Sequence, residues 1–476
     1  MQLSKRLTNP LITGTLLLTA TGLLSRIIGF FYRIFLSRTI GAEGLGIYQL
    51  IFPVLSLGIA FCASGIQTAI SRYVAADNPL VDIQHRKTGS PTAANSHSAS
   101  HTGMAYLYAG MLLSVSLSIL CAALLNYFSD FIAVNILNEV RCCKLLVIMS
   151  YSIPFACIHS CINGYYYGRK KTLVPAITQL SEQLVRVISV YVLYLICIEN
   201  HKEITPAIAV WGLVFGEFSS MLIATSCTRF YRLSKVLLPR MHAATHHAQG
   251  TSLLPYLQKI GGFSIPLTAN RVTYHIFASM EAILIPLQLK AFGYTSSQAL
   301  SVFGILTGMA LPMILFPSAL TNSFSVLLMP TISEAAAMHD QRKIHLAIRK
   351  TFLYCMVLGL ICTLGFLLTG RFIGQYIFHN TLAGTFILIL SWICPFLYLA
   401  TTFSSILHGL GKAGTAFFIN MSGCILRIAC ILLLVPRHGI RCYLYSMLAA
   451  QIIVTILCIY AILCKQKMPL TSVASS

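Results

Sequence analysis

FLYCMVLGLICTLGFLLTG, Phe352 to Gly370, contains no charge and is bracketed by Arg349-Lys350 on one side and Arg371 on the other. At about 1.5 Å per residue it makes roughly 28 Å of helix, close to the ~30 Å hydrocarbon core of a bilayer. Lipid is the solvent such a segment requires. Working outward, comparable apolar runs recur along the whole chain, centred near Gly22, Leu57, Ser116, Ile153, Ser189, Val214, Phe277, Leu315, Leu360, Ile393, Met421 and Ile453. These predict an all-α polytopic membrane protein of about twelve transmembrane helices.

The composition agrees. Hydrophobic residues make up 57% and charged ones only 9% of the 476 residues, against about 25% charged in soluble domains. A soluble enzyme would have nothing with which to cover its surface. The net charge of +21 does not indicate nucleic acid, because the Lys and Arg residues fall between the apolar runs and form no separate basic domain. Most of the sixteen cysteines, including Cys121, Cys157, Cys161, Cys227, Cys394, Cys424 and Cys430, sit inside apolar segments, where Cys behaves as a small hydrophobe. Cys142 and Cys143 are adjacent and poorly placed to bridge, and no CxxC pairing marks a metal site. The first run, Leu11 to Leu36, is too long for a cleavable signal and carries two arginines, so it is expected to remain as the first helix.

Long polar loops are expected at Asp77 to Thr102 and at about Arg229 to Thr251. The second divides the chain into an N-terminal six-helix lobe (1–230), a cytoplasmic linker (231–254) and a C-terminal six-helix lobe (255–476). With the N-terminus inside, twenty Lys and Arg residues fall on the cytoplasmic side and eight outside, which predicts an inner-membrane protein with both termini cytoplasmic. The halves match at one register: Pro154 and Pro395, Gly168 and Gly409, Lys171 and Lys412, Arg186 and Arg427 are each 241 positions apart. Two pseudo-symmetric six-helix lobes in the same orientation follow, as in parallel repeats that bind cargo between them.

Charges inside apolar spans cost at least about 2.5–3.5 kcal/mol and must face a cavity or a partner. Five basic and three acidic residues fall there: Arg26, Arg33, Arg186, Arg271 and Arg427, with Glu182, Glu217 and Glu281. Arg26 and Arg33, seven apart, share one helical face. Arg271, preceded by Asn270 and followed one turn on by His275, would complete a basic cavity suited to phosphate. Helix-to-helix bonding with carbonyls, or snorkelling of Arg33, is the structural alternative. Glu182 and Arg186 have the i,i+4 spacing of an ion pair, either architectural or coupling. Arg427 has Gly423 where its repeat mate has Glu182, so its partner lies elsewhere. Glu281 reads as a counter-ion, a proton or sodium site, or a structural pair, and Glu217 has no assigned role. Gly409 to Thr415 is Gly-rich but lacks the phosphate-loop spacing, so it reads as a turn. His242, His246 and His247 read as a solvated loop cluster. No nucleophile and base motif, metal site or cofactor site is evident, so an enzyme is not expected.

Gly14-Thr15-Leu16-Leu17-Leu18, Ser25-Arg26-Ile27-Ile28-Gly29-Phe30 and Gly41-Ala42-Glu43-Gly44-Leu45-Gly46-Ile47-Tyr48 resemble the opening of the stage V sporulation protein B group of polysaccharide exporters. Ser264-Ile265-Pro266, Asn270-Arg271, Glu281 to Pro286 and Leu328 to Glu334 fit the same group, so the resemblance covers nearly the whole chain. That group belongs to the superfamily of lipid II flippases, O-antigen flippases and multidrug and toxin extruders. The resemblance implies two lobes, alternating access, and transfer of an undecaprenyl-pyrophosphate-linked oligosaccharide, such as a peptidoglycan or spore-cortex precursor, between leaflets. Arg26 matches the Ser-Arg of the lipid II flippases' first helix, but Tyr32-Arg33 stands where they carry Arg-Asp. They commonly have fourteen spans, two more than counted here. The expected partners are a lipid-linked sugar pyrophosphate, membrane lipids and a coupling ion, H+ or Na+. A multidrug/cation antiporter and a non-transporting scaffold for cell-wall synthesis are the rival functions.

Overall fold

The computed structural model describes residues 10–76, 98–237, 253–338 and 340–466. Among them there are helices and turns and no strand. Among the described residues twelve helices are long and apolar enough to cross a membrane, the number expected. In chain order the helices are α1 (Pro10–Thr39), α2 (Gly41–Ala76), α3 (Ser98–Tyr127), α4 (Cys142–Gly168), α5 (Leu173–Glu199), α6 (Ala207–Leu237), α7 (Leu254–Ala291), α8 (Ser296–Leu315), α9 (Ser318–Ala337), α10 (Gln341–Ile377), α11 (Thr381–Gly409), α12 (Ala413–Leu433) and α13 (Ile440–Gln466). All but α9 are candidate spans.

Two expected boundaries are corrected. Helix α3 begins at Ser98, inside the loop expected from Asp77 to Thr102, because the Ser/Ala/His composition there permits helix once an apolar segment follows. Leu315, expected at the centre of a span, ends α8, where Pro317 interrupts the ladder before α9. Lys5, Arg6, Arg86, Lys87, Arg240, Lys467 and the histidines His242, His246 and His247 lie outside the described residues.

The chain divides into two compact units, residues 1–29 with 50–279 and residues 30–49 with 280–476. The core of the first gathers Ile66, Ile70, Leu107, Cys161, Tyr165, Tyr166, Ala224 and Ile260. Its helices approach closely where one side has no side chain. A Cβ on Gly164 would stand 2.6 Å from the Gln67 carbonyl, and one on Gly168 2.6 Å from that of Ser71, the small-residue packing that lipid-embedded helices rely on. The second unit does the same. Gly46 faces the Leu300 carbonyl and Gly304 that of Ala42, each leaving about 2 Å for an added Cβ.

The repeat extends well beyond its four sequence matches. A π turn occupies Ile132–Ile136 and another Ile373–Ile377. Each is followed by a left-handed residue, Asn138 (φ 52) and His379 (φ 51), at the same offset. After α4 and α11 the chain reverses through Lys170 (φ 58) and Gly411 (φ 75), with Lys171 N donating to Tyr166 O (2.9 Å) and Lys412 N to Leu407 O (2.8 Å). The Gly-rich segment is therefore a turn. Pro154 and Pro395 each sit three residues beyond a break, at Tyr151 and within Ser391–Ile393, since proline cannot donate to the carbonyl four residues back. For Pro395 that carbonyl is Ser391 O, and the Thr363 hydroxyl donates to it at 2.9 Å.

Candidate functional site

Arg271 lies midway along α7, exposed, and within the first unit it is tied to α2. Its Nη1 donates to the Ser64 carbonyl at 2.9 Å and its Nη2 to the Thr68 hydroxyl at 3.2 Å. Ser64 ends the π turn Ala60–Ser64, a distortion that turns backbone carbonyls away from the regular ladder. The helices can meet there because Gly65 has no side chain: a Cβ would stand 2.1 Å from Thr268 Oγ1 and 2.8 Å from Ser264 O. Two of the five guanidinium N–H donors are thus engaged, and the group is fixed in direction while remaining accessible.

Arg26 is exposed on α1 and belongs to the first unit, whereas Arg33, half-buried, belongs to the second. Asn270 is exposed beside Arg271. The helix carrying Arg26 is met three residues on by α5, where Gln183 Nε2 stands 3.0 Å from the place a Gly29 Cβ would take. Gln183 Oε1 is buried with no hydrogen-bond partner among the described residues.

Glu182 and Arg186 form the ion pair their spacing predicted, within a larger cluster. Glu217 on α6 stands 4.0 Å from Arg186 Nη2, and its other oxygen is 2.8 Å from His159 Nε2 on α4. Asn163, one turn along α4, faces His159 Nδ1 at 3.4 Å. One ring nitrogen of His159 and one carboxylate oxygen each of Glu182 and Glu217 lie within 4.8 Å of one another. His159 is not among the residues the sequence singles out, and Glu217 is named there as a costly in-span charge without a role. A signal was present: Gly212-Leu213-Val214-Phe215-Gly216 immediately precedes Glu217, a GxxxG spacing. It lays α6 on α5, with Gly216 against the Glu182 carbonyl and Gly212 against that of Arg186 (2.8 and 3.1 Å from an added Cβ).

In the second unit Arg427 finds its partner in Glu281. Nε donates to Oε1 at 2.7 Å and Nη2 to Oε2 at 3.0 Å, a two-pronged pair. The Tyr443 hydroxyl donates to the same carboxylate at 2.5 Å. Glu281 is thus held by α12 and α13, whereas Arg271 is bonded to α2. The repeat-mate arginines Arg186 and Arg427 both neutralise glutamates, using different helices of their own units.

Residues 11–336 match the family described as "Polysaccharide biosynthesis protein". Stage V sporulation protein B of Bacillus subtilis (strain 168) is 25% identical over 448 residues, covering 94% of this chain and 82% of that protein. Lipid II flippase MurJ of the same organism is 22% identical over 89% of this chain and 77% of its own length. Among solved structures, the inward closed conformation of lipid II flippase MurJ superposes with a TM-score of 0.67 at 15% identity, covering 94% of this chain and 87% of that one. An inward-facing multidrug resistance transporter of the MATE family superposes with a TM-score of 0.60 at 13% identity, covering 94% and 96%. The superpositions establish the shared polytopic helical fold. With two thirds of its length inside one family match, this multi-pass membrane chain belongs to the polysaccharide biosynthesis protein family.

Proposed function

We propose that the chain is a flippase that moves an undecaprenyl-pyrophosphate-linked oligosaccharide, a peptidoglycan, spore-cortex or other polysaccharide unit, across the cytoplasmic membrane by alternating access. Family membership and the similarity to a lipid II flippase and a sporulation protein support the substrate class. The observation that carries the reading is Arg271, an exposed guanidinium halfway along a membrane helix, aimed by Ser64 and Thr68. A pyrophosphate has to shed its hydration to cross hydrocarbon, and forked donors replace that hydration. In this proposal Arg26, Arg33 and Asn270 also bind the substrate, the chain works as six-helix lobes 1–230 and 255–476, and both termini face the cytoplasm with 231–254 as the linker. Transfer between leaflets makes and breaks no bond, so the activity is transport and not catalysis, driven by an ion gradient or the membrane potential.

A multidrug/cation antiporter shares the fold, but its cargo calls for acidic groups open to the cavity. Here Glu182, Glu217 and Glu281 are each paired with an arginine or a histidine, which favours the anionic cargo. The test is flipping of a fluorescent undecaprenyl-pyrophosphate sugar in proteoliposomes, with and without an imposed potential. Wild-type activity lost in folded Arg26→Ala and Arg271→Ala supports the proposal. A folded wild type that is inactive, or variants that flip normally, would overturn it, and uptake of cationic drugs by the same vesicles would establish the antiporter.

A further inference from the structure

We infer that His159, Glu217, Glu182 and Arg186 form a proton-binding site inside the first unit, with the exchangeable proton held on His159. With a neutral imidazole, the cluster sets two carboxylates against one guanidinium and carries net charge −1. All four groups lie on membrane-spanning segments and none is exposed. In a low-dielectric interior that excess charge is costly, and one proton cancels it. A divalent ion would leave the cluster at +1 beside Arg186. A sodium ion would balance the charge, but His159 Nε2 and Glu217 Oε2 are already at hydrogen-bond distance, 2.8 Å, which leaves a proton and nothing larger between them.

The surroundings accommodate both protonation states. Asn163 Nδ2 faces His159 Nδ1 at 3.4 Å, the arrangement for a neutral ring that donates from Nε2 to Glu217. Thr178 Oγ1 stands 3.3 Å from Asn163 Oδ1 and 3.0 Å from the Pro175 carbonyl. Half a turn of the amide offers Oδ1 to a protonated Nδ1 and Nδ2 to the threonine oxygen, whose own proton stays on Pro175 O. In either state both ring nitrogens of His159 face a partner, Glu217 at Nε2 and Asn163 at Nδ1. Among the described residues of α2 and α3, the other helices packed on α4, no charged side chain faces His159. Cys161, two residues after His159 and so about 200° around α4, turns toward α3, with its Sγ 3.9 Å from Gly110 O. On α2, whose Ser71 packs on Gly168, Arg72 lies more than two turns from His159 and stacks over Phe263 at 4.3 Å. The acidic groups acting on His159 are Glu217 and Glu182.

In the flippase reading, this site makes the proton the driving ion. That clause alone rests on the reading, because the test involves no transport. Full-length protein with 15N-labelled histidine is placed in lipid nanodiscs and its ring resonances are recorded by solid-state NMR, with His159→Gln identifying the His159 signal. If that variant does not fold, the difference between wild type and Glu217→Gln identifies it. The wild type at neutral pH should show His159 as imidazolium. Glu217→Gln or Glu182→Gln, which removes the excess charge, should lower the imidazolium-to-imidazole ratio about tenfold or more. A neutral ring in the wild type, an unchanged ratio in both glutamine variants, or a His159 signal that moves when choline chloride is replaced by sodium chloride would overturn the assignment, the last in favour of a sodium site.

Discussion

Arg427 grips both carboxylate oxygens of Glu281, at 2.7 and 3.0 Å, across 146 residues of chain and inside one compact unit. The pair joins α7 to α12, and Tyr443 adds α13. Both residues lie within spans, so each charge depends on the other for solvation.

Removing one partner should therefore be worse than removing both. Arg427→Met or Glu281→Gln alone is expected to cost about 3–5 kcal/mol, and the double variant substantially less. Thermal unfolding of the four proteins in nanodiscs checks this; simple additivity of the two losses would contradict the pairing.

Arg271→Lys keeps the charge but loses the fork that bonds Ser64 and Thr68 at once. Flipping of the lipid pyrophosphate should fall by one to two orders of magnitude, while Arg271→Ala abolishes it, given that charge-assisted bidentate contacts are about twice as strong as neutral ones. Vesicle assays with the three proteins at equal incorporation measure the series, and a lysine variant as active as the wild type would refute a directional role.

Glycine contacts rank by what an added Cβ meets. Gly304→Ala drives a methyl to 2.1 Å from the Ala42 carbonyl and Gly216→Ala to 2.8 Å from that of Glu182, while Gly261→Ala meets nothing within 4 Å. The first two are expected to destabilise by about 1–3 kcal/mol and the third to be neutral or slightly stabilising. Melting temperatures of the three variants decide it.

Asp340 precedes α10, and its carboxylate accepts from Lys343 N at 3.0 Å. That backbone bond, with the nearby Lys343 ammonium, holds its pKa below the ordinary carboxylate value. A depressed folded value means the cap contributes fully above the ordinary Asp range near pH 3.9 and is lost as pH falls through the lower folded value. Protection of the Lys343 amide, its exchange rate relative to the intrinsic rate at each pH, should fall on acidification through that window in the wild type and lose that pH step in Asp340→Asn.

Three of the four matches at offset 241 were legible because proline, glycine and in-span arginine each impose a local or solvation constraint. The shared π turns at Ile132 and Ile373 were not legible, since a π turn depends on which neighbours compete for the carbonyls. Among site residues, the Glu182 and Arg186 pair followed from helical spacing. The roles of His159, Glu217 and Tyr443 did not, because their partners lie on other helices.

The sequence by itself determined the solvent, the twelve spans and the presence of costly charges within them, because all three depend on composition and on the 1.5 Å rise of a single helix. Only the tertiary structure decided which charge neutralises which. Arg271 bonds a carbonyl of α2, Arg427 takes Glu281, and His159 takes Glu217. Those choices are made where glycines let particular helices touch, and at ångström range a buried charge is satisfied by whatever the crossing brings to it.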